Sequence, residues 1–463
     1  MPVPALLLVP AALGVASGGY AQNGEAIMPR PTEAQIRWQE CELGVIYHLD
    51  APVVAGLPAK NNATRQVVDP SKYNPRELDT DQWIKAARDM GARYAVFTAT
   101  HFNGFMQWQS DLYPYGLKQA AWREGKGDIV ADFVTSCRKH DILPGIYFST
   151  HRNVYNTVWG HYVDWGSGKG SKAQERFNRI AEKQTEELCS RYGKLVQVWY
   201  DAGVKLPHEG GPDVLPVFTK HQPDSVFYHS SRRSDHRWIG NEAGHAGYPC
   251  WATMPGGDKG DLSHNSASWR KLLHQGDPEG TIWSPAMVDT VLRGKHGHYW
   301  FWHPNTEHTI HTVDELMAMY DRSVGRNSNL LLGIVVDKDG RVPVPDVQRM
   351  KEFGEELKRR FSNEVAQTKG DGTQLVIELA GDNRTFDHIV LREAIGEGER
   401  TRAFKVERFA DGRWTELVTG SCIGNKFIDR RPEPVTAEKV RLRITASTAE
   451  PRIRSFSLYL SPR

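Results

Sequence analysis

Short apolar runs alternate with longer amphipathic stretches along most of the chain, and the runs stop at polar residues. Leu43–Asp50, Tyr94–Thr100, Pro144–Thr150, Leu195–Tyr200 and Ser225–Ser230 are short and rich in β-branched and aromatic side chains. That is the pattern of strands buried on both faces. Between them, Asp79–Gly91 predicts a helix, with Trp83, Ile84, Ala87 and Met90 at helical spacing and Gly91 as its stop; Ile129–His140 and Lys172–Tyr192 predict two more. Ile282–Val291 and Leu330–Val336 supply later strands, separated by a helix over Val313–Val324, while Trp238–Gly244 reads as loop. Strand, helix, strand with short joints argues for parallel pairing and a (β/α)8-like barrel. After a joining helix over Val344–Arg360 the period changes. Leu375–Leu379, Phe386–Leu391, Phe404–Phe409, Trp414–Val418, Lys439–Ile444 and Ile453–Leu460 alternate apolar and polar, with turns such as Ala410–Arg413 between them. This predicts an all-β sandwich. The expected division is a barrel over 22–363 and a sandwich over 364–463.

In a barrel of parallel strands the C-terminal strand ends form the reactive face. Asp201 stands at such an end, directly after Trp199-Tyr200, although an Asp after a strand can also merely cap the next turn. A retaining glycosidase would need a second carboxyl group about 5 Å away. Glu242 is the candidate: Gly240 and Gly244 flank it and would allow close backbone approach, and Trp238, Tyr248 and Trp251 lie near in sequence. Burial among those rings would raise its pKa and keep it protonated, as an acid catalyst requires; the plain alternative is a solvated loop glutamate. His48, His101, His151 and His229 each lie at or just past a strand end. They could contact sugar hydroxyls or bind metal. Their spacing lacks HxH or HxxxH, which favours sugar contact, with a metal hydrolase as the alternative; His296-Gly-His298 falls in a Trp-rich loop instead.

Composition narrows the picture. The 58 basic and 56 acidic residues leave a net charge of +2, too little to hold a polyanion, so nucleic acid is not expected as a partner. The 14 Trp and 16 Tyr exceed what packing alone calls for and offer flat faces for sugar rings. Residues 1–21, apolar through Ala16 and ending in Gly19-Tyr20-Ala21, read as a secretory signal peptide. A secreted or periplasmic protein follows, without membrane insertion, since no other window approaches about 20 apolar residues. Cys41, Cys137, Cys189, Cys250 and Cys422 are scattered and suggest neither a zinc site nor a disulfide framework.

With these residues in view, the chain resembles the α-L-fucosidases of glycoside hydrolase family 29. The resemblance is carried by Tyr94-Ala-Val-Phe-Thr-Ala-Thr-His-Phe-Asn-Gly-Phe105, Trp122 with Gly125-Lys-Gly-Asp128, Cys137-Arg-Lys-His140, Pro144-Gly-Ile-Tyr147, Trp199-Tyr-Asp201, Trp238-Ile-Gly-Asn-Glu242 and Ser323-Val-Gly-Arg-Asn-Ser-Asn-Leu-Leu-Leu332. It implies a barrel followed by a sandwich, a fucosylated glycan as substrate, Asp201 as nucleophile and Glu242 as acid/base. No cofactor and no metal are implied. It also implies that His48, His101, Asn103, Trp108, Tyr147 and Trp199 line the sugar pocket, with Trp300 or Trp302 closing it. One departure stands out: where the family usually reads Lys-His-His-Asp-Gly-Phe, this chain has Phe102 and Asn103 in place of the second His and the Asp. That exchange admits L-galactose or a substituted fucose as rival substrates, or a carbohydrate-binding protein without turnover.

Overall fold

The computed structural model describes residues 28–57, 66–256, 267–381 and 384–462. The signal peptide expected over 1–21 lies outside the described residues. Eight parallel strands follow one another around a nearly closed sheet: β1 Leu43–His48, β2 Tyr94–Thr98, β3 Leu143–Phe148, β4 Gln197–Val204, β5 Val226–Ser230, β6 Arg237–Trp238, β7 Ala286–Val291 and β8 Ser328–Val335. β8 pairs back onto β1, Leu43 opposite Leu330, and among the described residues the ladder is open between β5 and β6. Among the described residues the α-helices are α1 Glu33–Gln39, α2 Ala51–Val54, α3 Thr80–Met90, α4 Ile129–Lys139, α5 Lys172–Arg191, α6 Val214–His221, α7 Ala267–Gln275, α8 Val313–Ser323 and α9 Val344–Phe361. The expected (β/α)8-like barrel is therefore the fold.

Local chemistry explains the elements. The Asp79 side chain accepts from the Gln82 N–H at the start of α3, and Gly91 ends the helix at φ +92°. In β1, Leu43, Val45 and Tyr47 pack against the helices, whereas Ile46 packs inside the barrel with Tyr94, Val96, Tyr147 and Trp199. Gly44 also faces inward. A Cβ there would come within 2.3 Å of the Tyr94 ring, so the close approach of β1 to β2 depends on glycine. His48, next in this inward row, emerges at the C-terminal mouth.

The opposite end is plugged by α1 Glu33–Gln39, whose Trp38 indole donates 2.8 Å to Gln197 Oε1. His236 stacks between Trp38 and Tyr228, with ring centroids 4.5 and 4.7 Å away, and fills the open seam beside β5. Two elements differ from expectation. Ser284-Pro285 divides the apolar run 282–291, so Ile282–Trp283 pairs with Thr253–Met254 and only β7 joins the barrel; proline cannot donate to a ladder. Trp238, expected in a loop, instead joins Arg237 in β6, which is too short to leave a periodic trace.

α9 leads into two antiparallel four-stranded sheets. Their strands are β9 Glu364–Asp371, β10 Gln374–Glu378, β11 Thr385–Glu393, β12 Thr401–Ala410, β13 Arg413–Gly420, β14 Phe427–Thr436, β15 Lys439–Ser447 and β16 Arg452–Tyr459. The β12–β13 hairpin turns on Asp411 and Gly412, both with positive φ, the combination a two-residue hairpin loop demands. Phe386, Leu391, Phe404, Leu442 and Phe456 form the core between the sheets. The sandwich is tied to the barrel by buried polar groups. Glu42 pairs with Arg392 and, at 2.7 Å, with Lys426; Glu399 accepts from the Ala252 N–H at 2.9 Å and from Asn327.

Candidate active site

Period two along β4 turns Gln197, Trp199 and Asp201 toward the barrel interior. The ladder to β5 stops at Trp199 opposite Tyr228 and resumes only at Val204 opposite Ser230, so β4 bulges through Asp201-Ala202-Gly203. Ala202 has φ +57° and Gly203 φ +78°. A left-handed alanine costs about 1–2 kcal/mol, and at Gly203 a Cβ would lie 2.6 Å from the His229 ring. This strained bulge sets Asp201 at the mouth, where the Tyr147 hydroxyl donates 2.9 Å to its Oδ2. Burial raises the Asp201 pKa; the Tyr147 bond lowers it and the charge of Glu242 raises it, leaving it above the ordinary aspartate value.

Glu242 sits between two positive-φ glycines, Gly240 and Gly244. Of the rings expected to bury it, Trp238 lines a neighbouring cavity with it, and Tyr248 and Trp251 are engaged elsewhere. Trp238 donates 2.8 Å to Asp289 Oδ1, the Tyr248 hydroxyl donates 3.0 Å to the Cys422 carbonyl, and Trp251 lies under the Arg402 guanidinium. Glu242 is instead held by the loop after β7: its Oε2 accepts from His298 Nε2 and, at 3.0 Å, from Trp300 Nε1. Its side chain keeps 41% of its exposure. Partial burial raises its pKa, but the His298 and Trp300 bonds outweigh that and hold it below the ordinary glutamate value. The expectation of a buried glutamate with a raised pKa is thus corrected.

Asp201 and Glu242 share a cavity of about 280 Å³ with His48, His101, Tyr147, Trp199 and Trp300. Burial lowers the pKa of His48 to about 3 and takes that of His101 well below the ordinary histidine value, so both rings are neutral at neutral pH. Their Nδ1 atoms and the Trp199 indole N–H are buried without a partner among the described residues. Such groups are what a hydroxyl-rich ligand would satisfy. Phe102 contributes an apolar wall beside His101, with Arg152 stacked 4.9 Å above its ring.

Three expected lining residues do not reach this cavity. Asn103 is buried and its Oδ1 accepts from the Phe105 N–H at 2.7 Å, a loop-shaping contact. Trp108 is fully buried with its indole donating 2.8 Å to Glu187 on α5, because a buried N–H needs an acceptor. Trp302 packs with Val53 and Phe301. Sequence reasoning also missed Asp289, an inward residue of β7 that is 4% exposed and lines the cavity. Burial and the nearby Glu242 charge push its pKa well above the ordinary aspartate value. The signal was available: a lone carboxylate two residues after Met287 in an apolar strand repeats the Trp199, Asp201 pattern. The four rim histidines separate into two pairs, since His151 and His229 flank a neighbouring cavity. Among the described residues no group of three or more His, Cys, Asp or Glu side chains is placed to hold a metal ion.

The sequence model of the α-L-fucosidase family matches residues 63–360, more than half of the chain. The chain belongs to the α-L-fucosidase family. It is 27% identical to α-L-fucosidase 1 of Arabidopsis thaliana, over 94% of this chain and 88% of the plant protein. Among solved structures, a candidate α-L-fucosidase of Bacteroides thetaiotaomicron superposes with TM-score 0.89 at 41% identity, covering 93% of this chain and 99% of the other. A glycoside hydrolase family 29 member from a rumen bacterium superposes at TM-score 0.79 with 26% identity, over 95% of this chain and 78% of its own. The barrel mouth with Asp201 and Glu242 is thus the candidate active site of an α-L-fucosidase-type glycoside hydrolase.

Proposed function

We propose that this protein is a retaining exo-glycosidase that removes terminal α-L-fucosyl residues from glycans, with Asp201 as nucleophile and Glu242 as acid/base. The observation that carries this reading is that Asp201 and Glu242 face one cavity yet are held by different means. Asp201 is fixed by a strand bulge and Tyr147, Glu242 by a loop carrying His298 and Trp300. In the first step an Asp201 carboxylate oxygen bonds to the anomeric carbon while Glu242 gives its proton to the departing glycosidic oxygen. In the second, Glu242 takes a proton from water, the water oxygen bonds to the anomeric carbon, and Asp201 is released as carboxylate. Neutral His48 and His101 would each offer one donor and one acceptor to sugar hydroxyls.

The apolar wall of Phe102, Ile46 and Phe301 favours a C6 methyl over the C6 hydroxyl of L-galactose, because a hydroxyl set against apolar rings loses its hydrogen bonds with water. Export by a leader over residues 1–21 is part of the same proposal, supported by its apolar run and small residues near Ala21. The test compares aryl α-L-fucoside with aryl α-L-galactoside for the wild type, Asp201→Ala and Glu242→Ala. Fucoside hydrolysis with retention of anomeric configuration, lost in Asp201→Ala, is expected; full activity in Asp201→Ala would sink the mechanism.

A further inference from the structure

Beside the sugar pocket lies a second cavity, of about 390 Å³, and the two share Trp199, Asp201, Glu242 and Asp289. It sits where the barrel ladder is open: Tyr228 and His229 of β5 bound it on one side, Trp238 of β6 on the other. His151 and His161, from the segment between β3 and α5, complete the wall with ring centroids 4.7 Å apart. The Nδ1 atoms of both are buried without a partner among the described residues.

We propose that this second cavity is the leaving-group subsite and that it selects a neutral, hydroxyl-rich sugar over an acidic one, with His161 and His151 as its specificity residues. The inference rests on the proposed roles of Asp201 and Glu242. If the bond is broken between those two groups, a substrate reaching into both cavities must pass them, and what lies beyond is the part that departs. The chemistry of the wall sets the class of that part. Burial lowers the pKa of His151 to about 4 and of His161 to about 3, so near neutral pH each ring carries one donor and one acceptor and no charge. The Asp201 carboxylate, shared by the two cavities, opposes a carboxylate or sulfate brought alongside it. Of the nearby cations, Lys205 pairs with Glu209 at 2.9 Å, and Arg152 lies over the Phe102 and Trp159 rings. The Trp238 indole offers a flat face for the C–H side of a sugar ring.

The experiment measures kcat/KM on three fucosides: an aryl α-L-fucoside, an α-L-fucosyl disaccharide with a neutral hexosamine as leaving sugar, and its counterpart with a uronic acid. The wild type should prefer the neutral disaccharide to the acidic one by at least about tenfold, one hydrogen-bond-sized difference in free energy. In His161→Ala and in His151→Ala the ratio of neutral-disaccharide to aryl-fucoside kcat/KM should fall by about tenfold. His161→Gln, which keeps a donor and an acceptor, should recover part of it. Ratios within twofold of wild type in both alanine variants, or equal use of neutral and acidic disaccharides, would overturn the subsite. A wild type that hydrolyses no fucoside at all would overturn the functional reading itself, and the subsite with it.

Discussion

The Tyr147 hydroxyl on β3 donates 2.9 Å to Asp201 Oδ2 on the adjacent strand β4. This is a donor on the charged form of a carboxylate whose burial favours the neutral form, so it keeps Asp201 available as an anion. Tyr147→Phe removes the donor and leaves the ring. The Asp201 pKa then rises, and the acid limb of the kcat/KM profile moves to higher pH, because the nucleophile must be ionised. A hydrogen bond to a charged group contributes about 1.5–3 kcal/mol, so the limb should move by about 1–2 pH units. Loss of rate with an unmoved acid limb would mean that Tyr147 does not act through Asp201.

Trp300 acts on the other carboxyl group in the same physical sense but on the opposite limb. Its indole donates 3.0 Å to Glu242 Oε2 and, with His298, holds the Glu242 pKa down. Trp300→Phe weakens the charged form, so the pKa rises and the acid keeps its proton to higher pH. The base limb of kcat/KM, measured on a fucoside with an unactivated leaving group, should therefore shift upward. A base limb that stays or moves downward would separate Trp300 from the acid/base.

These two carboxyl groups were unequally legible in the sequence. Asp201 ends an apolar run bounded by glycines, so the run located the strand and the strand located the residue. The bulge that aims it left only Gly203 as a trace, since Ala202 gives no sign of its left-handed backbone. Glu242 was marked by Gly240 and Gly244, but its partners His298 and Trp300 lie more than fifty residues further on and meet it only in space. The nearby rings Tyr248 and Trp251 pointed the wrong way because adjacency in a loop does not fix direction. Asp289 reads as a blemish in a buried strand until the barrel closes and sets it beside Glu242. β6 was invisible for a simpler reason: two residues cannot display a period.

The loop that carries His298 and Trp300 begins at a buried ion pair. Arg293, just after β7, donates 3.0 and 2.6 Å to the two carboxylate oxygens of Asp346 in the first turn of α9, and both side chains are fully buried. Asp346→Ala leaves a guanidinium in the interior with, among the described residues, Thr306 and the more distant Glu307 as its remaining side-chain acceptors. Breaking a buried pair from one side costs about 3–5 kcal/mol, so the denaturation midpoint should drop sharply and the Glu242 support loosen with it. A loss below about 1 kcal/mol would show that Glu307 takes over the charge.

Glu399 links stability to pH at the joint between sandwich and barrel. It is fully buried and accepts from the Ala252 N–H at 3.1 and 2.9 Å and from Asn327. Burial raises its pKa from 4.5 to about 7, against those bonds and the nearby Arg402 charge, and Glu393 adds to the rise. The unfolded chain therefore ionises first. Stability from the neutral acid is complete below about pH 4.5 and is lost as pH rises through about 7. The separation between 4.5 and about 7, at about 1.36 kcal/mol for each pH unit, amounts to about 3 kcal/mol. Glu399→Gln resembles the neutral acid and cannot ionise, so the variant should gain on the wild type in urea denaturation as pH is raised from 5 to about 8. A difference between the two proteins that stays flat over that range would mean that Glu399 does not change its charge on folding.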